Sequence, residues 1–153
     1  MSKRSQIQMT STEIQNYLSL RNNMTIATIG RDSIPHLVAM WYGFYQDGTL
    51  GFWTFAKSQK AINLKRNPVI TCMVESGEAY SELKGIEFVA DVDYSESLEE
   101  LIEIGSSIYE RYFGPLDENG IKTVEMMAKK RIAVRVHPRS YVSWDHSKLG
   151  GRY

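Results

Sequence analysis

The chain has 153 residues, 42% hydrophobic and 24% charged, enough for one domain with a real core and too few for two ordinary ones. Lysine plus arginine balances aspartate plus glutamate at 18 each, so no net positive field draws in nucleic acid or an anionic membrane. The composition also lies outside the low-hydrophobicity, high-charge range of disordered chains.

The first ten residues are polar and read as flexible. Lys3 and Arg4 are followed by no apolar leader segment, and no run is long enough to span a bilayer, so a cytoplasmic location is expected. Thr10-Ser11-Thr12-Glu13 has the form of a capping box. Ile14, Tyr17, Leu18 and Arg21 then recur at helical spacing, predicting a short amphipathic helix across a barrel end. Met24 to Ile29, Pro35 to Tyr45 and Thr49 to Phe55 are β-branched and aromatic runs. The turn residues Gly30-Arg31-Asp32-Ser33 and Asp47-Gly48 separate them, predicting a meander whose second pair is a hairpin.

Lys57 to Arg66 carries helix formers until Asn67-Pro68 stops it. Strands are predicted at Val69 to Glu75 and Ser81 to Tyr94, with Gly85 able to bend the second. Helices follow over Ser97 to Tyr112, ended by Gly114-Pro115, and over about Ile121 to Lys130; Arg131 to His137 and Tyr141 to Trp144 close the chain as strands. With no βαβ alternation, the expected fold is mainly β: a six-stranded antiparallel split barrel with short flanking helices, in one domain over 1–153 with 146–153 as a tail.

Cys72, the only cysteine, lies in the apolar run Val69 to Val74 and reads as buried packing, with no disulfide or cysteine metal site. His36, His137 and His146 are scattered, so no metal is expected. Glu99, Glu100 and Glu103 read as a solvated helix face, and Gly150-Gly151 follows no strand-to-helix pattern of a phosphate loop.

The stretch that carries chemistry is Phe52-Trp53-Thr54-Phe55-Ala56-Lys57-Ser58-Gln59-Lys60. There a strand runs into a helix start, where free backbone N–H groups attract anions and disfavour cations by roughly 0.3–1 kcal/mol. Lys57 and Lys60 stand there nonetheless. An anion between them, helped by the Ser58 hydroxyl, turns that conflict into a phosphate cradle; two solvated surface lysines are the plain alternative. Trp53 and Thr54 lead in, and the hairpin strand Leu37 to Tyr42 offers amides and apolar side chains to a flat ring. Barrel core is the other reading of Trp41, Trp53 and Phe55.

The run Lys57 to Pro68, preceded by Gly30 to His36 and by Phe52-Trp53-Thr54, resembles the pyridoxamine-phosphate-oxidase-like split-barrel superfamily. It is similar in particular to the branch that uses the deazaflavin coenzyme F420. The likeness runs from about Glu13 to Lys148 and includes Ser143-Trp144-Asp145-His146-Ser147-Lys148-Leu149.

It implies that Leu37, Val38, Ala39 and Met40 line the ring, that Trp53 and Thr54 contact the ring or ribityl region, and that Ser58, Gln59 and Lys60 hold the phosphate. Lys57 assists at the phosphate or meets an acidic tail. It further implies a homodimer with the cofactor at its interface, and a hydride transfer between F420 and an unsaturated small molecule; on this reading the proton comes from solvent or from a nearby donor such as Tyr42. Gln59-Lys60 stands where FMN-using relatives commonly carry an Arg-Lys pair, which counts against tight FMN binding; FMN, in an oxidase or flavin reductase, is the alternative cofactor. The terminal Arg-x-His of vitamin B6 oxidation is missing. A non-enzymatic cofactor or ligand carrier is the rival from another class.

Overall fold

The computed structural model describes residues 3–150. A four-residue helix, α1 (Lys3–Gln6), precedes α2 (Ser11–Ser19), whose capping box forms as read: Thr10 Oγ1 accepts from Glu13 N, and Thr10 N donates to the Glu13 carboxylate. Then come β1 (Met24–Ile29), β2 (Pro35–Met40), β3 (Gly43–Phe44) and β4 (Leu50–Phe55). The turn before β4 needs Gly48, whose φ of 82° lies in the left-handed region. After α3 (Gln59–Arg66) follow β5 (Val69–Ser76), β6 (Lys84–Ser95), α4 (Leu98–Phe113), α5 (Glu118–Ala128) and β7 (Arg131–Asp145).

The strands form one antiparallel sheet of seven, not the expected six, in the order β2-β1-β5-β6-β7-β4-β3. The run from Pro35 to Tyr45 breaks at Trp41-Tyr42 into β2 and β3. Trp41 points outward and stacks on Tyr112 at 4.6 Å, while Tyr42 turns in and is wholly buried. Conversely, the two closing strands are one, carried past Pro138 by a bulge: Ala90 opposes Pro138, Val89 opposes Ser140, and Arg139 is the extra residue. A bulge is where a proline without an N–H is tolerated inside a sheet.

Side chains alternate across this curled sheet. The inner face carries the main core, including Met24, Ile26, Phe52, Ile70, Cys72, Phe88 and Val134. Burial there pushes the Cys72 thiol pKa up and keeps it protonated and inert. A second core, with Trp53, Leu101, Ile104, Ile108 and Val124, lies between the outer side of β4 and β7 and the pair α4–α5.

The ends are tied down. Ile7 O accepts from Asp145 N at 2.7 Å, Met9 is buried with its N–H on Ser143 Oγ, and Lys148 Nζ reaches Glu13 at 2.7 Å. Among the described residues no helix is long and apolar enough to cross a membrane.

Trp53 lies against α4 at Gly105, where an added Cβ would stand 2.5 Å from the indole ring. Alanine normally gains about 1 kcal/mol over glycine inside a helix, but here it must push the helix off the sheet, an overpacking cost of about 1–3 kcal/mol. Gly105→Ala is therefore expected to lower stability in urea denaturation. A gain would show that α4 does not pack this closely.

Candidate functional site

The sheet does not close. β2 hydrogen-bonds only to β1, and β4 beyond Gly51 bonds only to β7. The backbone of Leu37–Met40 on one side and of Phe52–Phe55 on the other thus keeps a free edge along a split that starts at the Trp41-Tyr42 corner. At the far end of β4 the chain turns through Lys57 into α3, which packs on β1 through Asn63. Of the segments predicted to hold a cofactor, β2 and β4 form the two lips of this split, and Lys57 to Lys60 directly continues one of them.

The side chains are distributed more finely than the sequence reading has it. In β2, Leu37 and Ala39 face out and are exposed, whereas Val38 and Met40 lean on the core. Thr54 is buried, with its Oγ1 3.3 Å from Ser58 Oγ. Ser58 caps α3, accepting from Ala61 N at 3.4 Å. The N–H groups of Gln59 and Lys60, at the first two helical positions, have no intrahelical partner.

Two assignments change. Trp53 spends its side chain on α4, so only its backbone edge is left to line the split. Tyr42 is no proton donor to the split, because its hydroxyl donates inward to Leu18 O at 2.9 Å and burial pushes its pKa up to about 12.

Cations that sequence reasoning left out converge here. β4 pairs with β7 in a register that places Phe55 opposite Arg131, and Ala56 N donates to Lys130 O at 3.0 Å. Lys129, Lys130 and Arg131 thereby join Lys57 around a cleft of about 630 Å³, which also holds Phe55 and one carboxylate, Glu96. The Glu96 carboxylate is paired with Lys65 at 3.5 Å. Lys57, Lys60, Lys129, Lys130 and Arg131 have no ion pair among the described residues. The Arg131 guanidinium lies over Phe55 at 4.2 Å and Trp53 at 4.9 Å, and its Nε is buried without a partner.

Such an uncompensated cluster, in which Lys60 and Arg131 are half-buried and the other three cations exposed, fits an anionic group. A larger cleft, about 790 Å³, runs along α4 and is rimmed by Glu99, Glu103 and Glu110, so it repels the same chemistry. No group of three or more His, Cys, Asp or Glu suited to a metal occurs among the described residues.

Burial, and then Arg131 beside it, lower the Lys60 pKa. A lowered lysine binds fewer protons in the fold than in the unfolded chain, so its contribution to stability improves as pH rises toward 10.5. A bound anion restores the proton. Anion affinity is accordingly expected to fall, with proton uptake on binding, as pH rises through the lowered Lys60 range toward the ordinary lysine value. Calorimetry in buffers of different ionisation enthalpy checks this, and binding without proton uptake in that window would leave Lys60 outside the anion site.

Known proteins agree with this architecture. The family model described as pyridoxamine 5'-phosphate oxidase matches residues 10–145. A conserved hypothetical protein of Mycobacterium tuberculosis superposes with a TM-score of 0.91 at 40% identity, covering 100% of this chain and 95% of that one. An F420 reductase superposes with a TM-score of 0.64 at 25% identity, covering 83% and 94%. The heme storage protein HutZ of Vibrio cholerae, at 19% identity with a TM-score of 0.69 over 90% and 97%, shares the fold. No curated protein matches the chain. With a match that spans both lips of the split and the helix that follows them, the chain belongs to the pyridoxamine 5'-phosphate oxidase family of split β-barrels.

Proposed function

We propose that this protein is an oxidoreductase that holds the deazaflavin coenzyme F420 in the split and works on an unsaturated small molecule in the cytoplasm. The observation that carries the reading is the unpaired cation cluster where β4 runs into α3, at one end of two free backbone edges. A phosphate-bearing flat heterocycle has the shape and charge for both parts, and the likeness to an F420 reductase points to the deazaflavin rather than FMN.

In this reading Lys60, the Ser58 hydroxyl and the N–H groups of Gln59 and Lys60 hold the phosphate. Lys57, Lys129, Lys130 and Arg131 attract further negative charge. The edges of β2 and β4 lie along the ring, and Leu37 and Ala39 exclude water from it. When bound, the cofactor supplies two-electron hydride chemistry. With Tyr42 committed to Leu18, the accompanying proton is left to solvent.

A homodimer is part of the proposal. On the outer face, Ala39, Thr25, Met73, Glu87 and Val142 line up across β2, β1, β5, β6 and β7, with Leu37, Ala27, Thr71 and Val89 in the adjoining row. Leu37 is 63% exposed and Trp41 43%, and Met73 and Val142 are exposed as well. These two rows, apolar but for Thr25, Thr71 and the carboxylate Glu87, suit a second copy of the chain, since monomers rarely expose large apolar patches. It adjoins the β2 lip, so the partner completes the split.

Two outcomes are expected. Lys60→Ala should weaken F420 binding by at least ~1.5 kcal/mol, the low end for a charge-assisted hydrogen bond, in a fluorescence titration at fixed salt; unchanged affinity would remove the phosphate assignment. Met73→Glu should turn a dimer into a folded monomer in analytical ultracentrifugation, and a variant that still dimerises would place the interface elsewhere.

A further inference from the structure

Where β4 runs into α3, one oxygen meets two demands. Ser58 Oγ caps the helix by accepting from Ala61 N at 3.4 Å, and it lies 3.3 Å from Thr54 Oγ1. Thr54 stands four residues earlier, on β4. It is 2% exposed, and Ser58 Oγ is the one hydrogen-bond partner of its hydroxyl among the described residues.

Each hydroxyl has one proton to give and two lone pairs to fill, so the pair can be arranged in two ways. If Ser58 donated to Thr54, the Thr54 proton would be left inside the protein without an acceptor, at the full desolvation cost of a buried donor. If Thr54 donates to Ser58, its proton is used, and Ser58 Oγ accepts twice, from Thr54 and from Ala61 N. Burial of Thr54 therefore selects the second arrangement. The proton left over is that of Ser58, on a partly exposed residue next to the open N–H groups of Gln59 and Lys60.

We propose that Thr54 is a positioning residue: by donating to Ser58 it fills the acceptor capacity of that serine and makes the helix cap a dedicated hydrogen-bond donor to the anion at the start of α3. This deepens the cofactor reading above and rests on it. A serine with a spare lone pair offers an anion a repelling oxygen as readily as a proton, whereas one with both lone pairs occupied has its proton alone to offer. Hydrogen bonds in a chain also polarise one another, so the bond from Thr54 strengthens the one that Ser58 makes. The assignment changes the role of Thr54, which the family resemblance puts against the ring or ribityl region. A hydroxyl enclosed in the barrel and bonded to Ser58 acts on the cofactor through that serine.

The test is a double-mutant cycle on cofactor binding by the full-length protein, read in fluorescence titrations with F420, and in parallel with FMN, at one pH and ionic strength. Thr54→Val keeps the shape of the side chain and removes its hydroxyl, and Thr54→Ala is the second variant without one. Ser58→Gly removes the donor and leaves a residue that an N-cap position tolerates. Ser58→Gly should weaken F420 binding by roughly tenfold or more, as for a lost hydrogen bond to a charged group. Thr54→Val should weaken it about two- to fivefold, the share that cooperative strengthening contributes. Thr54→Ser should restore wild-type affinity, and Thr54→Val should add no further loss in the Ser58→Gly background. Urea denaturation of each variant checks that the losses do not come from unfolding.

The same loss from Thr54→Val with and without the Ser58 hydroxyl would mean that Thr54 touches the cofactor directly and would overturn the proposal, as would unchanged binding in Thr54→Val. If Ser58→Gly leaves F420 binding unchanged, Ser58 is no part of the phosphate site and the proposal falls while the cofactor stands. Binding of FMN but not F420, with the two positions coupled as described, would keep the Thr54 assignment and sink the deazaflavin reading. Binding of neither would overturn both.

Discussion

A β-sheet that curls until its edges face each other, yet leaves them unpaired, exposes two rows of backbone N–H and C=O groups that must bond something. Here the constraint is set at one corner. The chain passes from β2 to β3 in two residues, Trp41 and Tyr42, one held outside against Tyr112 and the other locked inside on Leu18. Arg111 reinforces the corner: its guanidinium lies over the Tyr42 ring at 4.4 Å and donates to the backbone oxygens of Leu18, Ser19 and Leu20 at the end of α2. With the corner fixed, β2 and β4 diverge along a split of defined width, and everything proposed about the protein takes place along it.

Electrostatics distinguishes the two ends of the split. A helix start already favours negative charge, and the chain adds lysines there from two sequence-distant segments brought together by the β4–β7 register. Half-burying Lys60 beside Arg131 with no carboxylate partner costs stability, as its lowered pKa records. Such local conflicts with folding preference are expected where a ligand resolves them. The acid-rimmed cleft along α4 has its charges the other way round and takes part in no such conflict.

Much of this was legible in the sequence because it is local. The capping box at Thr10, the hairpin turn at Gly48 and the helix stop at Pro68 each follow from the stereochemistry of a few adjacent residues, and the strand-to-helix segment Lys57 to Lys60 stood out because its charges oppose the helix dipole. What was not legible is pairwise and distant. Nothing near Lys57 announces that Arg131 lies across the sheet, although the run Lys129-Lys130-Arg131 before a strand was a usable hint. Trp53 and Tyr42 alternate correctly, but which side of the sheet is covered by α4, and which hydroxyl finds a carbonyl, depends on tertiary packing. The strand count failed for a similar reason: tertiary packing breaks the run Pro35 to Tyr45 at Trp41-Tyr42 into two strands, while a bulge at Arg139 joins the two closing strands into one.

The most direct test of the central claim is a crystal structure of the protein with coenzyme F420 added. The expected result is density along the split between β2 and β4, with the phosphate within hydrogen-bonding distance of Lys60 and Ser58 and a second chain closing the β2 side. Cofactor bound elsewhere, or bound with Lys60 and Arg131 both facing solvent, would contradict it.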